Sequence, residues 1–372
     1  MTMRIERVDV HRLAIPLERP YRLAFGPVHR YDTVLVTLEA SEGATGFGEA
    51  TLLTGYTDET IDEAWSLSRD IARGLPGASL ADARTRLLAI GTRTPFVATA
   101  FHTALDMAAG HPLLAPDAGT RVPILGLLQG NDAVELRERF DALLAQGYGT
   151  VKIKVGFDVA QDLAFVARVQ AIVAGRTPIR VDANQGYSAS AATEFVAGVD
   201  PAGIELFEQP CAAGDWGAQR RVAAAARRTG LPLMLDESIY GLADIARAAK
   251  EGACAYVKVK LMKFVGLDAL VAAIERIRAL GMRPVLGNGV ACDVSCWMEA
   301  CVAARHIDNA GEMNGFQKAR RMLFRAPLVF DRGDVVLDAG RPELAAGALA
   351  AHRVDRASFA STHVAATTIP SP

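Results

Sequence analysis

The sequence lacks the features that mark exported, membrane-spanning and nucleic-acid-binding proteins. Its first residues contain no apolar signal core, and no stretch is long and uncharged enough to cross a bilayer. There is no run of Lys and Arg that would follow a phosphate backbone, and the formal net charge is only −2. We therefore expect a soluble cytoplasmic protein with neither a nucleic-acid nor a membrane partner.

Cysteine and histidine are scarce, and their spacing matches no common metal or cofactor motif. The five cysteines, an odd number in a chain with no export signal, favour reduced thiols over disulfides. Cys292, Cys296 and Cys301 form no Cys-x-x-Cys pair and fall on a helical pattern, so we interpret them as small buried apolar residues. The seven histidines form neither a His-x-x-x-His pair nor a recognisable nucleophile triad, and Gly287-x-Gly289 lacks the third glycine of a dinucleotide fingerprint. Thiolate-bound metals, clusters and dinucleotides are therefore not indicated.

The first third of the chain has the pattern of an α+β domain. Residues 3–15 and 33–39 alternate between apolar and polar side chains as a strand does, and the stretch 46–50 resembles a turn into a third strand. Helical patterns follow at about 58–74, 79–91 and 96–109, the last beginning near Pro95. We therefore assign residues 1–120 to an N-terminal α+β domain.

From Val122 onward, short apolar runs alternate with amphipathic helical stretches every 25 to 30 residues. The runs lie near residues 122–127, 150–155, 178–183, 203–208, 232–237, 255–260, 283–288 and 309–313. Such alternation is typical of βαβ units, and seven or eight of them favour a closed barrel over an open sheet. We predict an α/β fold with a modified TIM barrel of (β/α)7β type at residues 121–325, capped by the N-terminal domain.

The tail, residues 326–372, is expected to complete the capping domain. A strand pair is predicted at Leu328–Asp331 and Val335–Asp338, turning at Gly333 and packing back on the first domain. The last residues, 362–372, are small and polar, which predicts disorder.

Five ionisable side chains end successive predicted strands of the barrel. They are Lys154, Asp182, Glu208, Asp236 and Lys260, and each follows an apolar run. In a parallel barrel the carboxyl ends of all strands meet at one face, so we expect these side chains to lie together at that face. Three carboxylates in one place need a cation, and oxygen ligands without His or Cys suit Mg²⁺ or, alternatively, Mn²⁺. An Asp after a strand also commonly caps the next helix, so Asp182 taken alone has a structural interpretation.

The lysines predict acid–base chemistry. A lysine near a divalent cation and another lysine is driven toward its neutral form, which lowers its pKa toward the working pH. Strands two and six lie on opposite sides of a barrel, so Lys154 and Lys260 would flank a substrate. That arrangement suits removal of a proton beside a carboxylate, while the other lysine returns a proton or helps a leaving group depart. Lys152 taken alone is equally well explained as a solvated strand residue or a salt-bridge partner.

These motifs, taken together, resemble the enolase superfamily and, within it, the muconate lactonizing enzyme subgroup. The motifs are Lys152-x-Lys154, Asp182-x-Asn184, Glu208-Gln209-Pro210, Asp236-Glu237-Ser238 and Val259-Lys260-Leu261-Met262-Lys263. The resemblance covers nearly the whole chain. It implies that the three carboxylates hold Mg²⁺, that Lys154 and Lys260 are the acid/base pair, and that Lys152 lies near the substrate carboxylate. It also implies a small carboxylate substrate and a homo-oligomer, since relatives commonly form dimers or octamers.

Substrate-binding residues are implied by the same resemblance. In this subgroup two loops, near residues 20–30 and 50–60, close over the substrate. The residues that would determine what fits are Phe25, Gly26, Thr54, Gly55 and Tyr56. Further substrate contacts are expected beside the motifs and after the seventh strand, from Asn184, Glu237, Asn288 and Asp293.

The substrate is less constrained than the chemistry. Members of the subgroup perform cycloisomerisation, β-elimination of water, racemisation of N-acylated amino acids and epimerisation of dipeptides. The stretch 287–293 lacks the Gly-Ser-Met-x-Glu-Ser-like motif of dipeptide epimerases, and the stretch 308–314 lacks their Asp-x-Asp, which argues against a dipeptide. The stretches 47–50, 54–57 and 287–290 most resemble the cis-3-hydroxy-L-proline dehydratases.

Resemblance to that branch implies dehydration of a 3-hydroxyproline, or its 2-epimerisation where the hydroxyl stays. Asp293 or Glu312 would then face the ring nitrogen. The enzymatic alternatives on the same scaffold are an N-acylamino acid racemase, a dipeptide epimerase and a muconate-type cycloisomerase. The remaining alternative is a barrel that binds a metal and a carboxylate without turnover, and the presence of all five chemical side chains argues against it.

Overall fold

Three long antiparallel strands near the start of the chain form a meander. They are β1 (Ile5–Leu23), β2 (Gly26–Ala40) and β3 (Thr45–Leu52), paired in that order. Both faces of the meander are buried: Val34, Val36 and Leu38 pack against helices, while Leu13 and Leu35 join the apolar core of the second domain. The sheet therefore packs on both sides and joins the capping domain to the barrel.

The computed structural model describes residues 2–23, 26–53 and 59–361 of the chain, with the side chains of residues 22 and 23 excepted. The candidates Phe25, Thr54, Gly55 and Tyr56, and the chain end 362–372, lie outside the described residues. Gly26 opens β2.

Three helices cover the outer part of this sheet, α1 (Ile61–Arg73), α2 (Leu80–Gly91) and α3 (Pro95–Ala108). Every residue of α3 after Pro95 is buried, and the Thr99 hydroxyl reaches the carbonyl of Leu261 in the barrel. A Cβ at Gly48 of β3 would lie 2.2 Å from the carbonyl oxygen of Ala100, so only glycine permits this close approach of strand and helix. The helices predicted from periodicity are present.

The barrel consists of seven parallel strands, each beside its sequence neighbour. The strands are β5 (Gly126–Leu127), β6 (Val151–Lys154), β7 (Ile179–Asp182), β8 (Ile204–Glu208), β9 (Leu233–Leu235), β10 (Tyr256–Val259) and β11 (Arg283–Leu286). The helices are α4 (Ala133–Ala145), α5 (Val159–Val173), α6 (Ala189–Gly198), α7 (Trp216–Thr229), α8 (Leu242–Glu251), α9 (Leu267–Ala279) and α10 (Asp293–His306). None of the helices in the described ranges is both long enough and apolar enough to span a membrane.

The predicted first and eighth strands are shorter than their apolar runs. The first run divides into β4 (Thr120–Pro123) and the two-residue β5. At the eighth position Gly311 forms a single bridge to Ile124, while the N–H of Glu312 donates to the carbonyl of Leu286 at 3.0 Å. The chain then turns back at once, because the N–H of Asn314 bonds the carbonyl of Glu312 at 2.7 Å. Gly311 and Glu312 therefore connect the two edges of the seven-stranded sheet through backbone hydrogen bonds.

The tail crosses from the barrel to the capping domain. The predicted strand pair is present as β12 (Val329–Asp331) and β13 (Asp334–Leu337), but β13 pairs with β4 rather than with the capping sheet. A short helix α11 (Ala346–His352) leads to β14 (Arg353–Ala360), which joins the capping sheet beside β1. Strand β14 was not predicted.

Candidate active site

The register of the barrel strands places three predicted site residues side by side. Lys154 on β6 pairs with Asp182 on β7, and Asp182 pairs with Glu208 on β8. Asp236 directly follows β9, and Lys260 directly follows β10. All five side chains therefore lie at the carboxyl end of the parallel sheet, the face where barrel enzymes carry their chemistry.

Both domains line a cavity at this face. The capping domain contributes Tyr21 from β1 and Leu53 after β3. The barrel contributes Lys152, Lys154, Asp182, Asn184, Asp236, Lys258, Lys260, Asn288, Gly289, Val290 and Glu312. Lys154 and Lys260 border this cavity from β6 and β10, which are separated by three strands.

Lys152 lies at the centre of the acidic side chains. Its Nζ is 2.8 Å from Oδ2 of Asp182 and 2.7 Å from Oε2 of Glu208. It is also 2.9 Å from Oε2 of Glu312. A second buried lysine, Lys258, contacts the same oxygen of Glu312 and lies 3.3 Å from Oε1 of Glu208. The Lys152 side chain is 1 % exposed, so the interpretation of this residue as a solvated strand lysine is wrong.

Lys154 is held by an acid and an amide. Its Nζ donates to Oδ2 of Asp182 at 2.6 Å and to Oδ1 of Asn184 at 2.5 Å. Asn184 donates in turn through Nδ2 to Oε1 of Glu237 at 3.1 Å, while Oε2 of Glu237 is buried without a hydrogen-bond partner among the described residues. Asn184 and Glu237, both predicted to contact substrate, therefore orient Lys154 in this structure.

Asp236 faces a different pair of lysines. Its Oδ2 accepts from Lys260 at 2.8 Å, and its Oδ1 accepts from Lys263 at 3.0 Å. Lys263 also donates to the Asp236 carbonyl at 2.6 Å. The backbone here is fixed by Gln209, whose Oε1 accepts from the N–H of Asp236 and of Ser238. The Gln and Ser of the predicted motifs thus position the carboxylate rather than contact the cavity.

Burial and lysine contacts shift the pKa values of the carboxyl groups in opposite directions. Burial raises the pKa of Asp182, but Lys152 and Lys154 outweigh it and hold that pKa below its ordinary value. The same competition, with Lys260 and Lys263, holds the pKa of Asp236 well below its ordinary value. For Glu237, burial and then the charge of Asp236 raise the pKa to about 7.

The two candidate acid/base lysines are stabilised in their charged forms. Burial lowers the pKa of Lys154, but the charge of Asp182, with smaller contributions from Tyr21 and Glu312, acts in the opposite direction and the pKa is raised. Burial likewise lowers the pKa of Lys260, and Asp236 and Glu237 reverse it. The sequence predicted a lowering beside a divalent cation. Such an ion would act in that direction, because it would replace the lysines as the countercharge of Asp182 and Asp236.

The carboxylate oxygens of the site are chemically suitable ligands for the predicted cation. One oxygen of Asp182 and one of Glu208 both contact the ammonium group of Lys152, so the space between these two carboxylates already holds a positive charge. Asp236 faces its own lysines, and within residues 2–23, 26–53 and 59–361 no three Asp, Glu, His or Cys side chains meet as a ready ligand set. Carboxylate oxygens are nevertheless the ligands that hard cations prefer, and Glu237 adds an unpaired one. Binding would require the lysine ammonium groups to give way.

Two further predicted contacts behave differently from expectation. Asn288 lines the cavity, but its side chain is bound to its own loop, donating to the carbonyl of Val290 at 2.7 Å. Asp293 is 1 % exposed, and its carboxylate accepts from the backbone N–H of Leu323 at 3.0 Å and of Phe324 at 2.7 Å. We therefore correct the assignment of Asp293: it anchors the chain that leaves the barrel rather than facing a substrate.

Sequence reasoning missed three residues of the site. Lys258 had a signal, since Lys258-x-Lys260 repeats the spacing of Lys152-x-Lys154 and alternate strand residues share a face. Glu299 of α10 had none: it is fully buried and accepts from the N–H of Leu261 at 2.8 Å and of Asn288 at 3.1 Å. Lys263 belonged to a quoted motif without an assigned role.

Two family models match the chain. Residues 6–125 match the mandelate racemase/muconate lactonizing enzyme N-terminal domain, and residues 135–342 match the enolase C-terminal domain-like model. The chain belongs to the mandelate racemase/muconate lactonizing enzyme family. It is therefore an enzyme of the enolase superfamily, an isomerase or lyase whose chemistry begins with proton abstraction.

Relatives of this family member include epimerases and racemases. The L-Lys-D/L-Arg epimerase of Methylococcus capsulatus is 32% identical over 84% of this chain and 91% of its own. The N-succinyl Arg/Lys racemase of Bacillus cereus has a similar fold, with a TM-score of 0.86 and 22% identity over 96% of this chain and all of its own. A dipeptide epimerase of Cytophaga hutchinsonii, complexed with Mg and D-Ala-L-Val, has a TM-score of 0.84 and 21% identity over 96% of this chain and all of its own.

Proposed function

We propose that this enzyme epimerises or racemises a small carboxylate by exchanging the proton on the carbon next to the carboxylate. Lys154 and Lys260 are the acid/base pair of the proposal. The observation that carries it is the position of both lysines on one cavity, on strands separated by three others. Two bases on opposite sides of one carbon can remove a proton from one face and return it to the other, which inverts the centre.

Asp182, Glu208 and Asp236 are the proposed ligands of Mg²⁺, with Mn²⁺ as the alternative. Support comes from their oxygen-only chemistry, from their neighbouring strand ends and from the Mg in the complex of the Cytophaga relative. When bound, such an ion supplies electrostatic stabilisation for the negative charge that a substrate carboxylate gains as the α-proton leaves. Lys152, among the same carboxylates, is placed to hold the substrate carboxylate as well.

The surrounding groups determine how the two lysines act. The hydrogen bonds of Lys154 to Asp182 and Asn184 fix the direction of its Nζ, and Asp236 does the same for Lys260. Each lysine must be neutral to accept a proton and charged to return one. Because both lysines are buried, loss of one carboxylate contact shifts this balance toward the neutral amine.

Dehydration of a 3-hydroxyproline is the second candidate, and it rests on the loops. The cavity includes Asn288, Gly289 and Val290 of the stretch that resembles the cis-3-hydroxy-L-proline dehydratases. The same lysine pair would remove the α-proton while the β-hydroxyl leaves as water. A cyclic imine product would identify this reaction, whereas the C2 epimer would identify the first.

The proposal is tested by exchange of the α-proton in heavy water. Purified protein with Mg²⁺ is incubated with proline derivatives, N-acyl amino acids and dipeptides, and deuterium incorporation is followed by NMR. We expect metal-dependent exchange of at least one compound. Lys154→Ala should abolish exchange for one enantiomer and Lys260→Ala for the other, because each lysine serves one face.

Lys250→Ala is the matched control, since Lys250 is an exposed lysine on α8. It should exchange both enantiomers at the parent rate. If no α-carboxylate exchanges with any metal, the protein is the binding-only barrel. If either lysine variant loses exchange of both enantiomers equally while remaining folded, the two-base arrangement is wrong.

A further inference from the structure

A lysine outside the proposed acid/base machinery lies beside Gly289, a residue that lines the cavity. Lys318 ends the short 3-10 turn Gly315–Lys318. Its Nζ donates to the carbonyl of Gly289 at 2.5 Å and to Oδ1 of Asn314 at 3.0 Å, and it lies 4.8 Å from the ring centre of Tyr21. Gly289 and Tyr21 both line the cavity, so Lys318 lies directly behind two of its lining residues.

The ammonium group of Lys318 forms no ion pair within 4 Å among the described residues, and Glu312 is the carboxylate whose charge acts on it most strongly. Its hydrogen bonds there go to neutral oxygens only. The carbonyl of Gly289 also accepts from the hydroxyl of Tyr31 at 3.1 Å, so its hydrogen bonding does not depend on Lys318. Burial lowers the pKa of Lys318 to about 8, and the charge of Glu312, which acts in the opposite direction, does not restore it.

Glu312 does not neutralise this corner. Its Oε2 contacts Lys152 and Lys258, so the carboxylate is already shared by two ammonium groups. Its Oε1 lies on the side of Gly289: a Cβ built there would be 3.3 Å from that oxygen and 3.4 Å from Nζ of Lys318. The ammonium groups of Lys152 and Lys258 are shared with Asp182 and Glu208 as well. Three carboxylates, Asp182, Glu208 and Glu312, thus face four ammonium groups, those of Lys152, Lys154, Lys258 and Lys318, so the corner has an excess of positive charge.

We propose that Lys318 binds a second carboxylate of the substrate, remote from the carbon that exchanges its proton. The inference rests on the proposed function, because the first carboxylate must lie beside the proton exchanged by Lys154 and Lys260. Gly289 leaves space in front of the ammonium group that any side chain would occupy. The substrate class is an amino-acid derivative with a distal carboxylate, on its N-acyl group or on its side chain.

Two pairs of compounds test the distal carboxylate. N-succinyl-L-alanine and N-butyryl-L-alanine differ only in the carboxylate at the end of the acyl group. N-acetyl-L-glutamate and N-acetyl-L-glutamine differ in the same way at the side chain. We expect kcat/KM for α-proton exchange to be about 10- to 100-fold higher for the acidic member of at least one pair, since a charge-assisted hydrogen bond is at stake. The responding pair identifies the position of the carboxylate.

Variants of Lys318 separate substrate binding from support of the loop. Lys318→Met should remove the preference by raising KM for the acidic compound, with kcat for the neutral compound within about twofold of the parent. Lys318→Arg should retain part of the preference, because it keeps the charge. Gly289→Ala should weaken binding of the acidic compound, because the added methyl group fills the space beside the ammonium group of Lys318. Lys250→Met, the same change at an exposed site, is the matched control and should alter neither kcat nor KM for either compound.

The outcomes distinguish this inference from the proposed function. Equal turnover of both members in both pairs, or equal losses for both in Lys318→Met, would overturn the role of Lys318 while leaving proton exchange intact. If no compound exchanges its α-proton, the proposed function fails. Calorimetric titration of the same pairs then decides the inference without turnover: the distal carboxylate must tighten binding to the parent and not to Lys318→Met.

Discussion

Two kinds of buried carboxylate occur in this protein, and their partners differ more than their burial. Asp182 at the cavity and Glu299 behind it are both 0% exposed. Asp182 contacts the ammonium groups of Lys152 and Lys154 and accepts one backbone N–H, that of Asn184. The hydrogen bonds of Glu299 within the described residues come from backbone N–H groups alone, those of Leu261 and Asn288. A lysine head can rotate away when a ligand arrives, but a backbone N–H cannot.

The same division holds for other acidic residues. Asp162 and Asp293 belong to the backbone-bound class: Asp162 accepts from the N–H of Phe157 at 2.9 Å, and Asp293 from those of two residues after the barrel. Asp236 and Glu312 belong to the lysine-bound class, and both line the cavity. Burial of a carboxylate therefore does not identify the site, whereas an exchangeable ammonium partner does.

The largest expected effect is at Asp236. Asp236→Asn should lower the rate of α-proton exchange by about a hundredfold or more, because a charged oxygen that faces the reaction is lost. Mg²⁺ should raise the melting temperature of the parent, since a ligand that binds the folded state stabilises it, and should do so much less in the variant. Activity assays and thermal denaturation with and without Mg²⁺ measure both.

Asp293→Asn is the control for that experiment, because it makes the same chemical change in a backbone-bound carboxylate. It should retain turnover within a few-fold and the full response to Mg²⁺. If Asp293→Asn lost the metal response and Asp236→Asn kept it, the distinction between lysine-bound and backbone-bound carboxylates would fail.

A smaller effect, on stability, is expected at Glu299. Glu299→Ala leaves the N–H groups of Leu261 and Asn288 buried without an acceptor, which should cost about 2–6 kcal/mol of unfolding free energy at about 1–3 kcal/mol for each group. Urea denaturation measures the change. Glu299→Gln keeps an acceptor oxygen and should lose clearly less. An alanine variant as stable as the parent would contradict the backbone-bound role.

What the sequence could predict was local in origin. The barrel strands end where apolar runs meet charged residues. That junction alone located five side chains at the carboxyl ends of the strands: Lys154, Asp182, Glu208, Asp236 and Lys260. The rhythm of runs and amphipathic stretches located the helices between them. The alternation of side chains along a strand would also have identified Lys258, because it precedes Lys260 by two residues as Lys152 precedes Lys154.

What the sequence could not predict depends on contacts between distant segments. Glu299 meets Leu261 and Asn288 only after α10 packs across two strand ends, and no spacing records that contact. Asp293 follows a strand as a catalytic acid would, but its partners lie 30 residues further along the chain. Strand β14 is largely exposed, so its pairing with β1 is set by the sheet edge it joins rather than by its own pattern.

The smallest expected effect is a change in the pH dependence of stability at Glu49. This carboxyl group is 2 % exposed and accepts from the N–H of Cys292 at 2.7 Å, and burial raises its pKa to about 8. The folded protein therefore keeps a proton there that the unfolded chain releases above about pH 4.5, so this contribution to stability falls as pH rises from about 4.5 to 8. Glu49→Gln cannot titrate and should flatten the fall by about 1 kcal/mol per pH unit within that window, measured by urea denaturation at pH 5, 6.5 and 8. Glu138→Gln, at an exposed position on α4, should reproduce the parent curve, and an equal flattening in both variants would assign the effect to net charge instead.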